Sequence, residues 1–126
     1  MSEAAQHLTQ FHTTFDLPQR IQPVMPPQAE RDLRHTLMRE EAAECIQALA
    51  DPGASMESIA QELADVVYIA YGTALTYGIP LDDVLREVHA ANMRKIGPDG
   101  PIRREDGKIT KPEGWRPPDI RTALGL

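Results

Sequence analysis

Eleven prolines punctuate this chain of 126 residues. A proline inside a helix removes a hydrogen bond and clashes with the preceding turn, so helices are expected only between the clusters. Pro18, Pro23, Pro26 and Pro27 fall in one connector, Pro52 and Pro80 stand alone, and Pro98, Pro101, Pro112, Pro117 and Pro118 crowd the last quarter. Four helices fit the spaces between them. The first covers about 3–14, with Leu8, Phe11 and Phe15 at helical spacing. The second covers about 28–50, with Leu33, Leu37, Cys45, Ile46 and Leu49 as its apolar members and Asp51-Pro52-Gly53 as its stop. A third covers 55–77, from an N-cap at Ser55 to a left-handed stop at Gly78, with Ile59, Leu63, Val66, Ile69 and Ala70 on its stripe. The fourth, 80–96, opens on Pro80 with Asp82 and Asp83 at the positive end of its dipole and stops at Gly97. Residues 97–126 read as turns and a short hairpin, in which Ile102-Arg103-Arg104 and Lys108-Ile109-Thr110 flank Glu105-Asp106-Gly107.

This is the pattern of one all-α domain, 1–126: a four-to-five-helix bundle with a C-terminal hairpin or loop segment. Leu, Ile, Val and Phe make up only about a fifth of the residues, near the lower bound for an independent core, so the bundle is expected to complete its core by oligomerisation. A net charge of −6 argues against binding a nucleic acid polymer, which needs clustered Lys and Arg. No apolar run approaches a membrane span and the start has no signal core, so a cytoplasmic protein without membrane contact is expected. The single cysteine, Cys45, supplies neither an intrachain disulfide nor a multi-cysteine zinc site and reads as a small buried hydrophobe.

The informative anomaly is where the carboxylates fall. At about 100° per residue, Leu33, Leu37, Glu41, Glu44 and Ala48 project into one sector of the second helix. On the third, Glu62 falls among Ile59, Val66, Ile69 and Thr73, with Asp65 at the edge of the sector. A Glu at this spacing often marks only a solvated face. Two such pairs on adjacent helices, both on the apolar stripe, would repel one another strongly unless a cation neutralised them. All-oxygen ligation selects a hard ion, Mg2+ or Mn2+, which keeps waters and takes oxygens from a phosphate. Glu40 lies at the border of the sector, where it is either a solvated neighbour or a base beside the metal.

Arg39-Glu40-Glu41-Ala42-Ala43-Glu44 and Glu62-Leu63-Ala64-Asp65-Val66-Val67-Tyr68 resemble the paired Glu-x-x-Glu and Glu-x-x-Asp motifs of the MazG-like all-α nucleoside triphosphate pyrophosphohydrolase superfamily. The resemblance extends through Glu87 to Lys95 and Asp106 to Pro112 and ends in Pro117-Pro118-Asp119. It implies metal-dependent hydrolysis of a nucleoside triphosphate, with a leaning towards deoxynucleotides, to monophosphate and pyrophosphate in a homodimer or homotetramer. On that reading Glu41, Glu44, Glu62 and Asp65 hold Mg2+, with Mn2+ as a substitute, and Glu40 is the first candidate base with Glu41 as fallback.

A triphosphate in an acidic pocket also needs cationic partners, for which Lys95, Arg94, Lys108 and Lys111 are the candidates, and Asn92 is a candidate for binding sugar or phosphate. Asn92 and Lys95 share the Val88 face of the fourth helix, whereas Arg94 points away from it and His89 reads as a surface or packing residue. His12, Phe11, Tyr68 and Trp115 are candidate base-contacting residues, although packing is the stronger expectation for Phe11 and Phe15. Two rival readings stand beside this one. The phosphoribosyl-ATP pyrophosphohydrolase branch of the superfamily shares the metal helices but serves histidine biosynthesis, and a non-catalytic helical module would use the acids only to decorate a seam.

Overall fold

A computed structural model describes residues 1–126. The chain is all-α apart from one very small ribbon, and it groups into two compact units, Met1–Leu81 and Asp82–Leu126.

The first unit holds α1 (Glu3–Thr14), α2 (Gln28–Ala50) and α3 (Met56–Tyr77), with α3 packed against both of the others. Their limits follow from the caps. Ser2 Oγ accepts from the Ala5 N–H at 3.1 Å, Ser55 Oγ accepts from the Ser58 N–H at 3.1 Å, and Gly78 closes α3 at φ 71°. Between α2 and α3, Asp51 Oδ1 accepts from the Gly53 N–H at 2.8 Å and tightens the turn. The pairing is antiparallel: Arg34 near the start of α2 meets Ile69 and Thr73 late in α3, while Glu41 further along α2 meets Glu62 and Asp65 earlier in α3.

The inward face of α2 differs from the projected one. It carries Arg34, Leu37, Met38, Glu41, Ala42, Cys45 and Ala48, whereas Leu33 is 50% exposed, Ile46 67% and Leu49 60%, and Glu44 is also exposed. The cause is Arg34, which is only 7% exposed. Its Nε donates to Thr73 Oγ1 at 3.1 Å and its Nη2 to the Ile69 carbonyl at 3.3 Å, over a notch left by Gly72. A Cβ on Gly72 would lie 2.6 Å from Arg34 Nη2 and 3.2 Å from His12 Nε2, so only glycine admits both side chains. A hydropathy projection centred on the leucines is therefore rotated by about one residue from the seat of the guanidinium. Cys45 is buried as expected, alongside Leu8 and Ala74.

The second unit holds most of α4 (Leu81–Met93), the ribbon β1 (Ile96–Gly97) with β2 (Gly100–Pro101), and the one-turn α5 (Ile120–Ala123). The fourth helix stops three residues before the expected 96. Ile96 pairs with Pro101 and Gly97 with Gly100 in antiparallel register, and a residue ahead of proline, here Gly97 before Pro98, is biased out of helical conformation. Trp115 Nε1 donates to the Ala91 carbonyl at 2.8 Å, supplying one of the partners that a helix end lacks. The expected 102–110 hairpin forms as a bridge between Arg103 and Ile109, with the Arg104 N–H donating to the Lys108 carbonyl and the Thr110 N–H to the Ile102 carbonyl, both at 2.8 Å. No helix is long and apolar enough to cross a membrane.

Candidate functional site

Glu62 and Asp65 are three residues apart on α3 and therefore lie side by side on its α2-facing side. Opposite them, Glu41 projects from the inward face of α2. One carboxylate oxygen from each of the three lies within 4.8 Å of the others, and all three residues are half-buried. Glu41 Oε2 and Glu62 Oε2 are cut off from solvent and have no hydrogen-bond partner. None of the ion pairs in the protein involves these acids. Glu44 stands at the rim: it is exposed, yet its carboxylate reaches hydrogen-bonding range of Glu62 and its charge acts on both Glu41 and Glu62. Glu40 is exposed beside Glu41 and adds the weakest of the charges acting on it.

The electrostatics agree with the geometry. Desolvation first, then repulsion from Glu44, Asp65, Glu62 and Glu40, holds the Glu41 carboxyl above its ordinary range. Glu62 is raised by desolvation, then by Glu44 and Asp65. Convergent carboxylates with orphaned inner oxygens fit a hard divalent cation, which offers positive charge to oxygens that no protein donor reaches.

A linkage prediction follows for the metal-free protein. A carboxyl whose folded pKa is raised adds stability that is fully present below its unfolded value, and this stability is lost as pH rises through the folded value. Glu41 and Glu62 should therefore lower Tm as pH climbs from about 4.5 towards neutrality. Burial lowers the pKa of His12, which works in the opposite sense, removing stability as pH falls below 6.5. The useful quantity is thus the Tm gain on adding Mg2+, which should grow from pH 5 to pH 7.5. Differential scanning fluorimetry with Mg2+ and with EDTA checks this, and a gain independent of pH would refute the assignment.

The remaining candidates separate into two groups. In the first unit, Phe11 meets Tyr68 edge-on with centroids 5.5 Å apart and lies 4.6 Å from Phe15, and all three rings are partly exposed rather than core. His12 is 1% exposed, and its Nδ1 lies 3.0 Å from the Pro18 carbonyl, so the imidazole is held inside the first unit. In the second unit, Lys95 and Lys111 each place an ammonium group near the Trp115 ring, whereas Asn92 and Lys108 are exposed.

Sequence reasoning missed two residues. Arg34 sets the α2–α3 seam, and the signal for it was Gly72, since a glycine within a helix is destabilising unless something approaches closely. Arg94, expected to point away from the Asn92 and Lys95 face, donates through Nη2 to the carbonyls of Arg116 and Pro117, both at 3.2 Å, and ties the C-terminal segment to the end of α4. Nothing in the local pattern marked that contact.

No curated protein matches the sequence. The family model described as phosphoribosyl-ATP pyrophosphohydrolase matches residues 8–92, about two thirds of the chain and a span that includes Glu41, Glu62 and Asp65. With the acids of α2 and α3 converging inside that span, the chain belongs to the phosphoribosyl-ATP pyrophosphohydrolase family, within the MazG-like all-α nucleoside triphosphate pyrophosphohydrolase superfamily.

Proposed function

We propose that this pyrophosphohydrolase cleaves the α–β phosphoanhydride of a nucleoside triphosphate, by preference a deoxynucleotide, to give the monophosphate and pyrophosphate. The observation that carries this reading is the convergence of Glu41, Glu62 and Asp65 with two orphaned inner oxygens. These three residues, with Glu44 at the rim, would hold Mg2+ or Mn2+, which when bound supplies Lewis-acid neutralisation of the phosphate oxygens. Glu40, exposed beside Glu41, would accept the proton of the attacking water, with Glu41 as the fallback. The water oxygen forms a bond to the α-phosphorus as the bond from that phosphorus to the bridging oxygen breaks, and pyrophosphate leaves with the electron pair.

The exposed Leu33, Ile46 and Leu49 on α2 favour a homodimer or homotetramer that covers them. The match to the phosphoribosyl-ATP pyrophosphohydrolase model favours a second reading, in which the nucleotide is phosphoribosyl-ATP and the same bond is cut.

The test is a panel of each common NTP and dNTP, dUTP and phosphoribosyl-ATP, with Mg2+, Mn2+ or EDTA, resolving all phosphate products. Monophosphate and pyrophosphate from one or more triphosphates, abolished by EDTA, is the expected result. Turnover of phosphoribosyl-ATP alone moves the assignment to the second reading. Survival of every nucleotide removes both and leaves a non-catalytic module.

A further inference from the structure

The α2–α3 seam holds a buried charge that the acid-centred chemistry does not use. Arg34 is 7% exposed yet makes no ion pair. Its Nε donates to Thr73 Oγ1 at 3.1 Å and its Nη2 to the Ile69 carbonyl at 3.3 Å, and Thr73 Oγ1 itself donates to that carbonyl at 2.8 Å. A buried guanidinium without a carboxylate is a poor stabiliser of a seam, since an apolar side chain of similar size avoids the desolvation. What it adds is register, because two donors of one planar group must meet two acceptors on the facing helix.

The place of this fork relative to the acids gives that register a use. Arg34 stands seven residues before Glu41 on α2, while Ile69 stands seven after Glu62 and Gly72 seven after Asp65 on α3. Seven residues are almost two helical turns, so the fork and the acids share the same helix faces, about 10 Å apart along the axes. In this antiparallel pair the guanidinium crosses to Ile69 and the Gly72 notch as Glu41 crosses to Glu62 and Asp65. The acids cannot set the register themselves, because they repel one another and no protein donor reaches the inner oxygens of Glu41 and Glu62. A one-residue slip of α2 would carry Glu41 about 1.5 Å along its axis, whereas Mg2+ demands near-ideal geometry at about 2.0–2.1 Å.

We infer that Arg34, with Thr73 as its acceptor, is a positioning residue for divalent-cation binding: the fork fixes the α2–α3 register and so holds Glu41 opposite Glu62 and Asp65 before a cation arrives. The inference rests on the divalent-cation reading of the acid cluster and gives Arg34 no contact with the ion or the nucleotide. The action is through geometry and not through charge. Burial and neighbouring acids raise Glu41 and Glu62, and Arg34 is not among the groups that act on them.

Three substitutions separate these roles. Thr73→Val keeps the side-chain shape and every charge but removes the hydroxyl, Thr73→Ser restores the hydroxyl, and Arg34→Met removes the whole fork. Binding of Mn2+ alone to the full-length protein would be measured by calorimetry and by loss of the free-ion paramagnetic resonance signal, with far-UV circular dichroism and melts in EDTA on the same samples. Thr73→Val and Arg34→Met are expected to bind Mn2+ about tenfold more weakly, the low end of what losing a group that orients metal ligands does, and Thr73→Ser to stay within about twofold of the parent. Thr73→Val carries the test if Arg34→Met does not fold. Folded variants that lose Tm in EDTA but bind Mn2+ within about twofold of the parent would overturn the inference, since Arg34 would then only stabilise the fold. Weakening by Arg34→Met with Thr73→Val unchanged would overturn it too, because charge and not register would be responsible. An unsubstituted protein that binds no Mn2+ would remove the cation reading itself, so the two ideas fail at different steps.

Discussion

Glu62→Gln is expected to lower kcat/KM for pyrophosphate release by about 10³-fold while raising Tm in EDTA, the opposite of what a structural carboxylate would do. The fall is the size expected when a preorganised electrostatic group is lost from a reacting phosphate. It follows from the position of the side chain, whose inner oxygen is sealed from solvent, has no donor, and converges with Glu41 and Asp65. The rise in Tm follows from the same position, since an amide removes charge that desolvation, Glu44 and Asp65 make unfavourable. Asp65→Asn should behave alike in activity, and the exposed Glu44 at the rim should cost less, about tenfold to a hundredfold on Glu44→Gln.

Steady-state rates with saturating Mg2+, paired with melting curves in EDTA, separate the two effects. An inactive Glu62→Gln with an unchanged or higher metal-free Tm establishes the cluster as the reaction centre. If the variant keeps activity within about tenfold of the parent, the centre lies elsewhere. A fall in metal-free Tm would instead show that the carboxylate is held by protein contacts.

The parts of this arrangement that were legible in the sequence are those written in local pattern. Proline and glycine placement yielded α1, α2 and α3 to within a residue, because caps such as Ser55 and Gly78 act on their own helix. The acid motifs were legible because three- and four-residue spacing fixes which side chains share a face. The seam itself was not legible, since it turns on Arg34 entering the notch at Gly72, a contact across 38 positions that no helical projection weighs. The same holds for the end of α4, where the indole of Trp115 reaches the Ala91 carbonyl. The burial of His12 was not legible for a related reason: its neighbour Phe11 is partly exposed, but one step round α1 turns the imidazole inward to the Pro18 carbonyl.

Gly78→Ala should be the most damaging of the small substitutions, lowering stability by about 3 kcal/mol or more and Tm by about 10 °C. Two costs coincide there. The residue sits at φ 71°, where a Cβ alone costs about 1–2 kcal/mol. That Cβ would also lie 2.0 Å from the Gln22 carbonyl oxygen, a backbone atom that cannot swing aside. Gln22 is there because the Pro-rich connector closes the end of α3. The Arg20 N–H donates to the Leu75 carbonyl at 2.9 Å, the Val24 N–H to the Tyr77 carbonyl at 3.0 Å, and Arg20 Nη1 to the Thr76 carbonyl at 2.6 Å. The Thr76 and Tyr77 carbonyls would otherwise be orphans at the helix terminus, whereas Leu75 also accepts from the Gly78 N–H at 3.2 Å. Displacing the connector to admit a methyl group therefore endangers several bonds at once, as well as the Arg20–Glu30 ion pair at 2.8 Å that fastens the connector to α2. Gly107→Ala is the matched comparison, with φ 89° and nothing within 4 Å of its added Cβ. It should lose only the conformational part, about 1 kcal/mol and about 3 °C. Thermal melts of the two variants side by side decide the point: a Gly78→Ala loss no larger than that of Gly107→Ala would mean that the connector does not close the helix end, and a loss two or more times larger measures what that closure contributes.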